Sequence, residues 1–100
     1  MGVLKYGESD EPLPVDDRTL AHLQAVITTK LRRHESFTLS WQHPESGDEE
    51  TIWLHPSIPL RFVFEGTAPR DFNAAWLDRL MRSANSTGGI KLVEEADPED

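Results

Sequence analysis

The stretch Ser36-Phe-Thr-Leu-Ser-Trp-Gln-His-Pro-Glu-Ser-Gly-Asp-Glu-Glu-Thr-Ile-Trp-Leu-His-Pro-Ser-Ile-Pro-Leu-Arg-Phe-Val-Phe-Glu-Gly66 decides the fold. Its apolar residues alternate almost strictly: Phe37, Leu39 and Trp41, then Ile52 and Leu54, then Leu60, Phe62 and Phe64. Side chains of a strand point to opposite faces in turn, so this pattern predicts three successive half-buried strands. Trp53 breaks the pattern. It falls in the polar phase, together with His55, Arg61 and Val63. A large aromatic on the outer face of a sheet needs cover, from the protein's own chain, a second copy, or a ligand or heterologous partner.

The hairpin register follows from the turn. Ser46-Gly47 reads as a two-residue loop. It pairs Trp41 with Ile52 and Leu39 with Leu54 on one face, and Ser40 with Trp53 and Thr38 with His55 on the other. A slip by one residue would turn every apolar side chain to solvent. Pro44 weakens pairing near the tip, because it has no N–H to give the ladder. His55-Pro-Ser-Ile-Pro59 turns the chain into the third strand. A turn centred on Ile58 sets Trp53 beside Val63 and His55 beside Arg61, which makes a three-strand antiparallel meander.

Outward from this meander the chain reads as follows. Gly2 to Tyr6 is a short strand ended by Gly7, and Glu8 to Pro12 is a polar break. Leu13-Pro14-Val15 is extended, since a residue before proline avoids helical angles. Asp16 or Asp17 caps a helix whose apolar stripe is Leu20, Leu23, Ile27 and Leu31, widened by Ala21, Ala25 and Val26. Lys30, Arg32, Arg33 and His34 crowd its end, where cations suit the negative pole of the helix dipole. An anion-binding patch is the other reading of the same residues.

After the loop Gly66 to Pro69, Asp71 caps a second helix from Phe72 to Ala84. Phe72, Ala75, Trp76, Leu80 and Ala84 form its stripe, with Leu77 and Met81 beside it. Asn85 to Gly89 ends it, with glycine as the left-handed cap, and Ile90 to Val93 is a last strand. The order strand, helix, three-strand antiparallel meander, helix, strand is α+β. Both helices are expected to pack on the sheet face that carries Phe37, Leu39, Trp41, Ile52, Leu54, Phe62 and Phe64. The boundaries are a single domain over residues 1–94 and an acidic, disordered tail over 95–100.

Eighteen acidic against ten basic residues give a net charge of −8. Neutralising phosphates drives most non-specific nucleic-acid affinity, so this balance disfavours DNA and RNA as partners. Cysteine is absent, which excludes disulfides and thiolate metal sites. No apolar run nears the ~20 residues that span a bilayer, so no membrane association is expected. The first residues lack the apolar core of a signal peptide, and the expected location is cytoplasmic.

Motifs that carry chemistry are missing. The four histidines, His22, His34, His43 and His55, make no His-Glu-x-x-His and no i, i+4 pair on one helix. There is no Gly-x-Ser-x-Gly elbow, and Ser86-Thr-Gly-Gly89 follows a helix where a phosphate cradle must precede one. No catalytic residue, cofactor or metal is therefore expected. The candidate interaction surface is Trp53, His55, Arg61 and Val63.

One set of residues resembles a known family. It comprises Asp17-Arg-Thr-Leu-Ala-His-Leu23, Lys30-Leu-Arg-Arg33, Glu35-Ser-Phe37, Ser40-Trp41, Ile52-Trp-Leu-His-Pro-Ser-Ile-Pro-Leu60, Asn73-x-x-Trp76-Leu77, Leu80-Met81 and Ala84-Asn-Ser86. With the opening Met-Gly-x-Leu-x-Tyr-Gly, this is similar to a family of ~100-residue actinobacterial proteins of unknown function. Its members often carry the name ATP-dependent DNA ligase. The ligase adenylation motif has a nucleophilic lysine in a Lys-x-Asp-Gly-x-x-x-Arg setting. The nearest string here, Lys5-Tyr-Gly-Glu8, lacks the aspartate and the arginine. The resulting expectation is a small non-catalytic protein-interaction module. Its partner is a second copy, giving a homodimer through the outer sheet face, or an unknown protein. The alternative is an accessory nucleic-acid-linked protein, not itself a ligase, in which Lys30, Arg32, Arg33, Arg61, Arg70, Arg79 and Arg82 converge.

Overall fold

A computed structural model describes residues 2–7, 13–42, 46–86 and 88–92. The elements are β1 (Gly2–Tyr6), β2 (Leu13–Val15), α1 (Asp17–Arg32), β3 (Phe37–Gln42), β4 (Glu49–Leu54), β5 (Leu60–Val63), α2 (Ala74–Asn85) and β6 (Ile90–Lys91). This is an α+β protein with two helices and two three-stranded sheets, in the expected chain order. The stretches 8–12, 43–45 and 93–100, which hold the polar break, part of the hairpin tip and the acidic tail, lie outside the described residues.

The strands do not form one meander. One sheet has the order β2-β1-β5 and the other β4-β3-β6. β5 leaves the β3–β4 hairpin and pairs antiparallel with β1, setting Leu4 opposite Phe62 and Tyr6 opposite Leu60. The reason lies in both partners. β1 offers the same alternation as β4, so apolar meets apolar in either pairing. The connection from His55 to Pro59 carries two prolines and makes its own turn, Ile58 N–H donating to the His55 carbonyl at 3.0 Å. Pro59 then accepts from Gly7 N–H at 2.8 Å, which draws the strand that follows toward β1.

The β3–β4 register is shifted by two residues from the expected one. Phe37 faces Leu54, Leu39 faces Ile52, and Thr38, not Ser40, faces Trp53. The shift keeps every side chain on its expected face, so alternation alone is blind to it. It also moves the tip. Gln42 and Glu49 are the last pair, so Ser46-Gly47 is not a two-residue loop but part of a longer connection. On the other side β6 joins β3 in parallel, Leu39 next to Ile90.

The inner faces of the two sheets and both helices share one core. Leu4 and Val15 come from one sheet, and Phe37, Leu39, Leu54 and Ile90 from the other. Leu20, Leu23, Val26 and Ile27 of α1 and Trp76, Leu80 and Ala84 of α2 fill the space between. Burying each of the larger side chains is worth ~1.5–3 kcal/mol, which is why the periodicity dominates the fold.

Helix ends follow local chemistry. Asp16 caps α1, its carboxylate accepting from Thr19 N–H at 3.2 Å. α2 begins later than expected, because Asn73 is the cap in place of Asp71. Asn73 Oδ1 accepts from Trp76 N–H at 3.1 Å. Asp71 is instead engaged by the Arg18 guanidinium, at 3.3 Å to its carboxylate and 2.8 Å to its carbonyl. At the far end Ser86 caps α2 with an extended backbone, and the left-handed residue is Gly89, in the turn into β6. A Cβ at Gly89 would run into Thr38 Oγ1 and the Thr38 main chain.

His22 pins the start of α2 to α1. It is 1% exposed, between Trp76 with ring centroids at 4.3 Å and Phe72 at 5.1 Å. Asn73 N–H donates to its Nε2 at 2.9 Å, so that nitrogen is an acceptor. The proton is therefore on Nδ1, which donates to the Arg18 carbonyl at 2.8 Å. Phe72 serves this contact from outside the helix and stays 46% exposed.

Gly2 marks the tightest approach of β1 to its neighbours. A Cβ there would lie 2.6 Å from the Val63 carbonyl oxygen and 2.8 Å from Leu20 Cδ2. Gly2→Ala is expected to cost about 1–3 kcal/mol, the range for overpacking a filled site. Gly66→Ala, whose Cβ meets nothing, serves as the control and is expected to stay within about 0.5 kcal/mol. Urea unfolding of both variants checks this, and equal midpoints would contradict it.

Candidate functional site

The four residues of the predicted surface do not share a sheet. Trp53 is on β4, opposite Thr38, and is 53% exposed on the outer face of the β4-β3-β6 sheet. Arg61 and Val63 are on β5 in the other sheet, opposite Lys5 and Val3. His55 lies in the turn between the two strands, where its Nδ1 accepts from Ser57 N–H at 3.1 Å. The pairing of Trp53 with Val63 fails because it required β4 and β5 to be neighbours.

What does surround Trp53 was not legible as a site in the sequence. Trp53 forms one wall of a cleft of about 430 Å³. Lys30, Glu35, Ser36, Phe37 and Thr38 line it from the end of α1 and the start of β3. Ala84, Asn85, Ser86 and Gly89 line it from the end of α2 and the turn into β6. Such a volume is within the usual size of small-ligand sites.

Lys30 is the unusual member. The helical period aims it inward, seven residues after Leu23 and three after Ile27, and its side chain is only 7% exposed. A buried ammonium is costly unless it is paired and hydrogen-bonded. Here it donates to Asn85 Oδ1 at 2.6 Å and pairs with Glu35 Oε2 at 2.7 Å. Both partners are set by helix ends. Asn85 is the last residue of α2. Glu35 is returned over α1 by the turn after it, where His34 takes φ 59° and Glu35 N–H donates to the Lys30 carbonyl at 3.2 Å.

The Lys30 hydrogen bond holds the Glu35 carboxyl below the usual carboxylate range. Partial burial opposes this, and the charges of Lys30 and Arg33 add to the lowering. The rim is hydroxylic. Thr38 Oγ1 donates to the Gly88 carbonyl at 3.1 Å and Ser86 Oγ to the Ser83 carbonyl at 2.6 Å. The cations expected at the end of α1 thus divide. Lys30 is turned into the cleft floor, while Arg32, Arg33 and His34 stay exposed.

Lys30 alone left a trace in the sequence, as a charged residue at a core position of the α1 period. Glu35 and Asn85 left none, because their roles depend on where two helices end. Among the described residues, no group of three His, Asp or Glu side chains is placed to hold a metal ion. Among the same residues, no helix is long and apolar enough to cross a membrane.

A family model described as a domain of unknown function, DUF7882, matches residues 1–95. No curated protein and no solved structure matches the chain.

The lowered Glu35 carboxyl makes a signed prediction. A carboxyl whose pKa is lowered on folding contributes stability above its unfolded value and loses it as pH falls through the folded one. The stability difference between the wild type and Glu35→Gln is therefore expected to be largest near neutrality. It should shrink steadily as pH falls through and below the ordinary carboxylate range. Urea unfolding of both proteins across that interval checks it, and a pH-independent difference would contradict it.

Proposed function

The chain belongs to the DUF7882 family, and we propose that this member is a non-catalytic interaction module that meets its partner at the Trp53 cleft. The observation that carries this reading is the coincidence of three features at one place. These are a half-exposed tryptophan, a concave surface, and a buried lysine whose partners line the same wall. Tryptophan in a partly formed pocket is the residue type that most often dominates a binding interface. Among the described residues no histidine lines the cleft, and its Lys30–Glu35 charge pair is closed on itself at 2.7 Å.

A heterologous partner fits this arrangement better than a large self-association. Among the described residues the exposed large apolar side chains are Trp53 on β4, Val63 on β5 and Phe72 ahead of α2. They lie on separate elements, whereas a stable dimer buries about 800 Å² on each protomer around a contiguous core. The homodimer through the outer sheet face stands as the second reading, favoured by one observation: β4, which carries Trp53, is an edge strand.

Nucleic acid is the less favoured partner. The net charge is −8, Lys30 is paired with Glu35, and Arg82 with Asp78 at 2.9 Å. The DNA-ligase name borne by the family that the sequence resembles is used by none of these residues. Actinobacterial origin and a cytoplasmic location belong to the same reading; the absence of cysteine supports the second.

Photo-cross-linking in the producing cell tests the reading. A cross-linker at position 53 is expected to yield one adduct of discrete mass. The same group at Gln24, exposed on α1, is expected to yield none. An adduct of twice the chain's mass identifies the homodimer. No adduct from position 53, or the same products from both positions, contradicts an interface at the cleft.

A further inference from the structure

We propose that the Trp53 cleft recognises an uncharged peptide group carrying a flat side chain, aromatic or proline, and not an anion. This rests on the reading of Trp53 as the contact point and specifies what the contact is. The protons of Lys30 decide what the cleft can hold. Its ammonium has three N–H donors. Asn85 Oδ1 takes one of them at 2.6 Å, and the Glu35 carboxylate lies against the ammonium at 2.7 Å as its ion-pair partner. Beyond these two the ammonium has no acceptor among the described residues, and the side chain that carries it is more than nine-tenths buried and lines the cleft. The cleft therefore offers one hydrogen-bond donor at its floor.

That donor carries little unbalanced charge. Glu35 neutralises Lys30 at contact distance, and its carboxyl is held in the ionised form by the same bond. Two helices also end here, α1 through Lys30 and Arg32 and α2 through Asn85, and a helix C-terminus carries partial negative charge. An anion would have to displace Glu35 and approach a molecule of net charge −8. A neutral carbonyl oxygen needs only the free N–H.

The rim supplies the complement. The hydroxyl protons of Thr38 and Ser86 are committed to the Gly88 and Ser83 carbonyls. With their protons spent, these oxygens can act only as acceptors. A donor at the floor and acceptors at the rim match the two ends of an amide, a C=O and an N–H. Above them the exposed ring of Trp53 provides an apolar plane on which a flat side chain stacks. A small, carbonyl-bearing, uncharged group with one flat substituent satisfies all three features, and a peptide segment is the common polymer that presents it.

The test uses three probes that share the N-acetyl-phenylalanyl group and differ in the charge of its C-terminal substituent: N-acetyl-phenylalaninamide, the free acid N-acetyl-phenylalanine, and the cation N-acetyl-phenylalanine 2-aminoethylamide. Each is titrated into the full chain, and the indole N–H signals are followed by ¹H–¹⁵N NMR. The neutral diamide is expected to shift the Trp53 signal saturably, with the millimolar affinity of a fragment. Both charged probes are expected to bind about tenfold more weakly or worse, roughly 1.4 kcal/mol. Trp53→Leu, at an exposed position, is expected to abolish binding without unfolding the protein. Lys30→Met is expected to weaken the diamide selectively, and should that variant fail to fold, Asn85→Ala reports on the same floor.

An unmoved Trp53 signal, or tighter binding of the free acid, would overturn the inference. If cross-linking from position 53 succeeds while the diamide fails to bind, the peptide specificity falls alone. If the diamide binds and no adduct forms, the interaction reading is the one that falls.

Discussion

The ammonium of Lys30 is the constraint around which the functional half of the molecule is arranged. A lysine whose side chain is 7% exposed must be given acceptors, or the helix that carries it cannot pack. The chain meets that demand with groups from two other places. Glu35 returns through the left-handed turn at His34, and Asn85 arrives at the last residue of α2. The position of the α1–β3 turn and the end of α2 are thereby tied to one atom. At the start of α2, His22 does the equivalent work, accepting from Asn73 N–H while Trp76 packs on its ring. Because His22 meets the beginning of α2 and Lys30 its end, the two helices run in the same direction. The apolar seam between them is closed by a polar pin at each extremity.

This arrangement explains why the cleft is where it is. The outer face of the β4-β3-β6 sheet is polar, with Ser40 bonded to Thr51 at 2.7 Å and Thr38 to the Gly88 carbonyl. At the end of β3 nearest the helix termini it meets a concavity, and Trp53 stands beside Thr38 at that end. Gly89 allows the turn into β6 to come against Thr38, where any side chain would collide. Glu35 completes the wall with a charge that offsets Lys30. The result is a surface built for a directional but nearly neutral contact, which suits binding better than chemistry.

Which parts of this were legible in the sequence follows from the period of each signal. Alternation with period two fixes the face of every strand residue, so Phe37, Leu39 and Leu54 were readable as core and Trp53 as exposed. The same period cannot distinguish registers that differ by two residues, and Thr38, not Ser40, lies opposite Trp53. Nor can it choose between partners with equal patterns, so β5 was free to pair with β1 instead of β4. Helix stripes were readable for the same reason that strands were, but Lys30 was read only as one of the cations at the end of α1, although it stands at a core position of that period. The partners of Lys30 were not readable, because Glu35 and Asn85 acquire their roles from tertiary placement. The start of α2 lies two residues later than expected, since Asp71 and Asn73 are both good caps and the tertiary contacts, Arg18 at Asp71 and His22 at Asn73, decide between them.

The central claim is that the Lys30 ammonium couples the end of α1 to the end of α2. A double-mutant cycle between Lys30→Met and Asn85→Ala measures that coupling most directly. Asn85→Ala alone leaves a buried ammonium short of an acceptor, whereas in the Lys30→Met background there is no ammonium left to satisfy. The double variant is therefore expected to lose less stability than the two single variants together, by about 1 kcal/mol or more. Additivity within about 0.5 kcal/mol would mean that the two residues do not act on each other, and the account of the cleft would be contradicted.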